Sequence, residues 1–343
     1  MSAPIFIVGA NRSGTTLLRL LLNAHSAVAI PDEVNYFYGF DWTVSYTLWR
    51  SPTLSVAAYE SFVDRFLAEN QSKVPGLDLS AVRSTILNGP VDLRRPYQCL
   101  LEAWAALHGK ARWGEKTPGN IYHANLLIDM FPDARFVHVV RDPRGGVASM
   151  KRVSFFPNDA VLNAMNRHKV MTHGRDYLRR FVPREQRVEV RYEDLVTIPR
   201  ETLRGLCSFL DLPYEDGMLR FHVDAERFMT EEASSSFNEA ATRPISKARA
   251  DAWKTALTSD EVASIERICV DEMVEFDYPR LRPRLSWAGA LNFAVKCAYW
   301  RIQWWRHRKD LHFAVVSPML SRTRARLRNL EHRVSRRIAR ALS

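Results

Sequence analysis

Cysteine is scarce and scattered. Cys99, Cys207, Cys269 and Cys297 never form a C-x-x-C pair. That leaves no zinc-type ligand spacing and no disulfide framework, so a reducing compartment is the default. Long apolar runs are missing too: no stretch of 18 uncharged apolar residues occurs, and no transmembrane helix is expected. The first strand begins a few residues after Met1, so no signal peptide is expected. Acidic residues are nearly absent from one end of the chain. Residues 280–343 hold 16 of the 49 Lys and Arg but only Asp310 and Glu331 of the 38 acids, giving +14 there and −3 elsewhere. The net charge of +11 therefore belongs to an appended interaction segment rather than to a basic domain. What remains is ordinary: 343 residues with 46% hydrophobic content suffice for one large domain or two small ones.

One further absence is more informative. Residues 5–22 read IFIVGANRSGTTLLRLLL, a buried strand, a glycine-bounded loop and the first turns of a helix. A helix N-terminus with free backbone N–H groups is a ready anion site. The P-loop pattern GxxxxGK[ST] would require Lys after Gly14, and Thr15 stands there. The cation of this loop is Arg12, two residues ahead of Gly14. A nucleoside triphosphatase or kinase would lose much of its phosphate grip without that lysine. The loop is expected to take a phosphate-like group other than a nucleoside triphosphate.

Further along, a short strand around residues 27–30 ends at Pro31, placing Asp32 and Glu33 on an exposed turn beyond the sheet's carboxyl edge, where open parallel sheets bind ligands. Residues 46–107 read as mainly helical, broken at Pro52, Pro75-Gly76 and Gly89-Pro90. Tyr36, Phe37, Tyr38, Phe40, Trp42 and Trp49 either pack the core or line an acceptor pocket. Trp113-Gly-Glu-Lys-Thr-Pro118 reads as a compact loop carrying Lys116, followed by a helix from about Ile121 to Met130. A second strong feature is ARFVHVVRDPRGGVASMKR: Phe136–Val140 as a strand, then Arg141 at its turn and Ser149 two turns into the next helix. Arg144, Lys151 and Arg152 are expected to add positive charge there. A long helix is expected over 160–181, a strand over Val188–Val190, and Tyr192 at that strand's end. Residues 231–246 read as a mobile polar connection leading through Arg243 and Lys247 to a helix near Trp253, with another helix from about Ser259 to Glu275.

Together these motifs resemble the sulfotransferases that use 3′-phosphoadenosine-5′-phosphosulfate (PAPS), nearest their tyrosylprotein sulfotransferase-like branch. The likeness runs over about residues 4–280. It implies an α/β, P-loop-type three-layer fold with a central, mostly parallel sheet flanked by helices over residues 1–284. Residues 285–343 would form a basic, Trp/Arg-rich helical extension. By the resemblance Arg12, Ser13, Gly14, Thr15 and Thr16 match the 5′-phosphosulfate loop, and Arg141 and Ser149 the 3′-phosphate motif. Tyr192 would contact the nucleotide, and Arg243 and Lys247 would close over it. Lys116 and Arg12 would absorb the charge that develops on the departing adenosine 3′,5′-bisphosphate, and no metal is required. Glu33 occupies the place of the branch's catalytic base. His25 is the rival, though its position at the end of the first helix suits a structural role better. Asn35 stands where the tyrosylprotein branch has an Arg, which turns the expected acceptor toward a carbohydrate or lipid-linked hydroxyl, with a tyrosine or a small metabolite as alternatives.

Within the extension, Trp300, Trp304 and Trp305 lie among Arg301, Arg306, Arg308 and Lys309, a composition suited to a membrane interface. Leu327, Leu330, Val334, Ile338 and Ala341 then repeat at helical spacing among arginines. The extension would bind an anionic membrane surface or a partner protein, or pack on its own domain. This gives a cytoplasmic protein, peripheral on the inner face of a membrane. Two other classes compete: a P-loop nucleotide or small-molecule kinase, and a basic nucleic-acid-binding protein that only the tail's charge supports.

Overall fold

The computed structural model describes residues 3–34, 36–37, 55–229 and 243–316, with side chains as far as Ile302. Five parallel strands form one sheet in the order β2-β3-β1-β4-β5. They are β1 (Ile5–Gly9), β2 (Val28–Ala29), β3 (Arg112–Lys116), β4 (Arg135–Val140) and β5 (Arg187–Arg191). β1 lies at the centre and is wholly buried, as its uninterrupted apolar run requires. It pairs Ile5 with Gly114 on one side and with Arg135 on the other. The expected α/β architecture with a parallel sheet is thus present.

Helix α1 (Thr15–Asn23) follows β1, and its leucines Leu17, Leu18, Leu20, Leu21 and Leu22 join the core. Helices α2 (Val56–Asn70), α3 (Leu79–Leu87) and α4 (Arg94–Leu107) replace each other at the expected Pro-Gly and Gly-Pro breaks. α4 brings Tyr97 against Phe6 of β1 and against Tyr36. Tyr36 and Phe37 therefore pack the core; Asn35, Tyr38, Phe40, Trp42, Trp49 and Pro52 lie outside the described residues. Helix α5 (Ala124–Met130) leads into β4, and α6 (Pro143–Met150), α7 (Ala160–Lys169) and α8 (Arg175–Phe181) follow. A π-helical turn, Val170–Gly174, joins α7 to α8, so the long helix expected over 160–181 is one rod with a bulge. α9 (Tyr192–Thr197) and α10 (Pro199–Phe209) come after β5; α11 (Ser259–Ile268) and α12 (Val270–Glu275) close the domain. A 30-residue helix, α13 (Trp287–Val316), follows within the residues expected to form an extension.

One element departs from expectation. The GEKTP stretch is not a loop up to Lys116 but the buried strand β3, between β1 and β2. Gly114, which reads as a turn former, is there for close packing: a Cβ would meet the Ile5 carbonyl at 2.8 Å and Ile30 at 2.9 Å. The charged residues beside it are buried because the fold pairs them. Glu115 accepts hydrogen bonds from Thr117 and Asn120, and Lys116 meets two carboxylates.

Candidate active site

The chain passes from β3 to β4 across the central β1, so the sheet's direction of winding switches there. In such sheets ligands bind beyond the carboxyl ends of the strands at the switch. The carboxyl ends of β1, β3, β4 and β5 deliver Arg12, Lys116, Arg141 and Tyr192 to that edge, and the turn after β2 delivers Asp32 and Glu33. Of the expected residues, Arg12, Ser13, Gly14, Arg141, Ser149 and Tyr192 meet in one cluster.

The anion loop is held in a conformation that side chains resist. Arg12 has φ 64° and Gly14 φ 96°. At Gly14 a Cβ would also lie 2.4 Å from the Tyr192 ring, so glycine is needed both for its backbone and for its size. Gly14 caps α1 with no side-chain hydrogen bond, which leaves the first N–H groups of the helix, at Thr15 and Thr16, to a ligand. Arg12 Nε donates to Ser149 Oγ at 3.1 Å, and Arg141 Nη1 donates to the Arg12 carbonyl at 3.0 Å. Arg141 also lies over the Tyr192 ring, 4.1 Å from its centre. Burial, then repulsion from Arg141 and Arg152, holds the Arg12 guanidinium below its ordinary value. Burial likewise lowers Arg141. Guanidinia packed together in this way are stabilised by a bound anion.

Three placements refine the sequence reading. The Ser13 hydroxyl points inward, accepting from Arg167 Nη1 at 3.0 Å. Arg144 and Lys151 do not add free charge near the anion. Arg144 is buried between Asp142 (2.6 Å) and Glu266 (2.7 Å), and Lys151 pairs with Glu261. Arg152 alone of that trio is exposed. Arg243 and Lys247 are exposed and follow residues 230–242, which lie outside the described residues. Lys247 immediately precedes a helical turn, Ala248–Asp251, that packs on α9, the helix Tyr192 begins.

Beside the loop sits a second constellation. Lys116, only 2% exposed, places Nζ 2.5 Å from Glu33 Oε1 and 3.7 Å from Asp32 Oδ1. Asp32 Oδ1 accepts the Glu33 backbone N–H at 2.9 Å and lies 3.9 Å from Nη2 of the fully buried Arg19. The Glu33 side chain is 45% exposed, so it reaches the buried ammonium from the open side. His25 is committed elsewhere: its Nδ1 accepts from the Ala27 N–H at 3.0 Å and its Nε2 meets the Pro213 carbonyl at 2.8 Å. With both ring nitrogens engaged and the ring 1% exposed, His25 is structural.

Sequence reasoning missed Arg167. Its Nη2 donates to the Arg141 carbonyl at 2.5 Å and pairs with Glu272 at 3.1 Å, while Nη1 reaches Ser13. One guanidinium therefore ties the loop after β1 to the loop after β4. Its only sequence signal was a cation on an otherwise buried helix stripe, since Ala160, Asn163 and Ala164 face the same interior.

Comparison with known proteins adds to this geometry. A family model described as the sulfotransferase family matches residues 4–216. The protein-tyrosine sulfotransferase of Drosophila melanogaster is 26% identical over 221 residues, covering 63% of this chain and 39% of that protein. Protein-tyrosine sulfotransferase 1 of Danio rerio is 27% identical over 224 residues, covering 63% and 55%. A 94-residue stretch of human carbohydrate sulfotransferase 2 is 35% identical, covering 27% and 17%. The chain thus spans between a sixth and about half of these relatives' lengths. Among solved structures, the sulfotransferase domain from the Synechococcus PCC 7002 olefin synthase aligns with TM-score 0.53 at 21% identity, over 81% of this chain and 97% of that one. The domain from the curacin biosynthetic pathway gives 0.52 at 20%, over 79% and 98%. These two likenesses speak to the fold.

Proposed function

The chain belongs to the sulfotransferase family, and from that premise we propose that it moves a sulfuryl group from PAPS to an acceptor hydroxyl. The observation that carries the proposal is the convergence of Arg12, Arg141 and Ser149 on the uncapped N-terminus of α1. The residues fit the donor's charge: every group offered at the cluster is a guanidinium, a hydroxyl or a backbone N–H, and two of the guanidinia disfavour each other's charge. The bound donor supplies an activated sulfuryl group on a phosphate that leaves readily. Arg12 and the N–H groups of Gly14, Thr15 and Thr16 would hold the 5′-phosphosulfate end. Arg141 and Ser149 would hold the 3′-phosphate, and Tyr192 would wall the nucleotide with Arg243 and Lys247 above it. Glu33 takes the proton from the acceptor hydroxyl. Lys116 sets its ammonium against the charge that develops in transfer, a positioned cation in a water-poor site.

The acceptor in this reading is a carbohydrate or lipid-linked hydroxyl. Asn35, in place of the tyrosylprotein branch's Arg, argues against a protein tyrosine. A cytoplasmic location accords with four free cysteines. The test is incubation with PAPS or with ATP and a panel of glycans, lipid-linked sugars, tyrosine peptides and small alcohols, read by mass spectrometry. PAPS-dependent sulfation of one class is expected. Transfer from ATP instead, or no binding of adenosine 3′,5′-bisphosphate by calorimetry, overturns the reading. Within it, Glu33→Gln lowers turnover by about 10²- to 10⁴-fold and leaves bisphosphate binding intact; Arg141→Ala weakens that binding by about 10- to 100-fold.

A further inference from the structure

Among the described residues, helix α13 is fastened to the rest of the chain along one face. Ser286, just ahead of it, donates its backbone N–H to Asp260 Oδ1 at 2.7 Å and its hydroxyl to Oδ2 at 2.5 Å. Gly289 lies so close to that carboxylate that a Cβ would stand 2.4 Å from it. Two turns later Lys296 pairs with Asp159, the residue that caps α7. Phe293, Cys297 and Trp300, on the same side, are half-buried. The other side is apolar and open. Trp287, Leu291, Val295, Tyr299 and Ile302 recur at three- and four-residue spacing and are 83%, 53%, 60%, 52% and 55% exposed. They form one stripe about 22 Å long. A helix apolar on two faces with only one covered has a second partner.

We propose that this stripe lies on an anionic bilayer surface, with α13 parallel to the membrane plane. Charge selects that occupant. The segment 280–343 carries +14, Arg301 lies within the span of the stripe, and the sequence continues through Trp304, Trp305, Arg306, Arg308 and Lys309. Basic residues at an anionic surface each strengthen binding by about fivefold, and Trp and Tyr rings such as Trp287 and Tyr299 settle at headgroup depth. Among the described residues no helix is long and apolar enough to cross a membrane, so the helix lies on the surface instead of spanning it. The charge that makes the surface attractive is confined to the same segment, since the remainder of the chain is −3.

The experiment uses the full chain in co-sedimentation with phosphatidylcholine vesicles, with and without phosphatidylserine. Binding is expected only with phosphatidylserine, weakening as salt rises. The Leu291→Glu/Val295→Glu variant is expected to bind at least about tenfold more weakly, with adenosine 3′,5′-bisphosphate affinity unchanged as the check on folding. Equal affinity of variant and wild type would show that tail charge alone suffices and would overturn the assignment of the stripe. So would failure to sediment with phosphatidylserine, or a wild-type dimer in light scattering that the variant dissociates. None of these results touches the sulfuryl-transfer reading, which the bisphosphate titration tests separately.

Discussion

Arg167 offers the sharpest way to separate what holds the protein together from what shapes the proposed anion site. Its guanidinium is buried and makes three connections: to Ser13 Oγ, to the Arg141 carbonyl and to Glu272. Against the pull of burial, Glu272 holds Arg167 above its ordinary value. Arg167→Met would leave the Glu272 carboxylate buried without its cation, which costs about 3–5 kcal/mol. It would also free the two anion loops from each other. Replacing both members of the pair, as in Arg167→Met/Glu272→Leu, removes the stranded charge, and such exchanges are commonly neutral or stabilising. Stability should therefore return in the double variant, but the tie between the loops should not.

The two quantities are measured apart. Urea unfolding gives stability, with an unchanged slope confirming the same transition. Calorimetric titration with adenosine 3′,5′-bisphosphate reports on the loops. The single variant should lose stability by the amount above and bind about 10- to 100-fold more weakly, as expected for two charge-assisted hydrogen bonds. The double variant should recover stability and keep the weak binding. If it regains wild-type affinity together with stability, Arg167 is only a neutralised buried charge and positions nothing.

Two other substitutions probe neighbouring claims. Gly14→Ala forces a Cβ to within 2.4 Å of the Tyr192 ring on a backbone at φ 96°, and strain and overpacking together should cost about 2–4 kcal/mol; denaturation with loss of less than about 0.5 kcal/mol would show that the loop relaxes freely. Glu115 sets a pH dependence. Burial lifts its carboxyl from 4.5 to about 7, with Glu33 adding to the rise and Thr117, Lys116 and Asn120 opposing it. The folded state therefore holds this proton more tightly than the unfolded state. That contribution is complete below pH 4.5 and is lost as pH rises through 7, up to about 3 kcal/mol. Relative to Glu115→Gln, the wild type should lose stability between pH 5 and about pH 8; parallel stability curves would refute the assignment.

How much of this was readable in the sequence depends on who neutralises each charge. β1 and β4, with the loops after them, stand out because largely apolar runs end abruptly at glycine or arginine, and the proposed chemistry sits at those ends; β5 is marked only by Val188 and Val190 around Glu189. Local pattern suffices there. β3 does not stand out, because Arg112-Trp-Gly-Glu-Lys116 carries charges that only tertiary partners render buriable: Arg112 donates to the carbonyls of Ala3 and Leu210, and Lys116 meets Asp32 and Glu33. Arg144 misleads for the same reason, reading as free positive charge until Glu266, more than a hundred residues away, is brought alongside; Arg167 goes unmarked because its partner Glu272 is as remote. Both acids lie beyond the residues 4–216 that the family model covers. The helices that supply these two partners thus lie outside the span that the family model matches.

The proposed base, Glu33, poses the last problem. Glu33 is hydrogen-bonded to Lys116 at 2.5 Å, so its carboxylate must leave that contact to meet an acceptor. Asp32 resolves this. It sits 3.7 Å from the same ammonium and 3.9 Å from Arg19, largely buried, and it anchors the Glu33 backbone. In the proposed reaction Glu33 would turn to the acceptor while Lys116 kept a counter-charge in Asp32, so the buried ammonium would not be left alone. Two cations and two carboxylates balance in the resting arrangement, and only Glu33, the half-exposed one, is placed to leave it. Asp32→Asn removes the standing counter-charge and leaves Glu33 as the one carboxylate within 4 Å of the Lys116 ammonium among the described residues. Turnover should then fall by about tenfold or more, as the interaction of two unit charges at this distance in a partly buried setting implies. Bisphosphate affinity should hold or rise, because Lys116 gains reason to seek another anion. A fall in affinity that matches the fall in turnover would mean that Asp32 shapes the donor site and leaves the base alone.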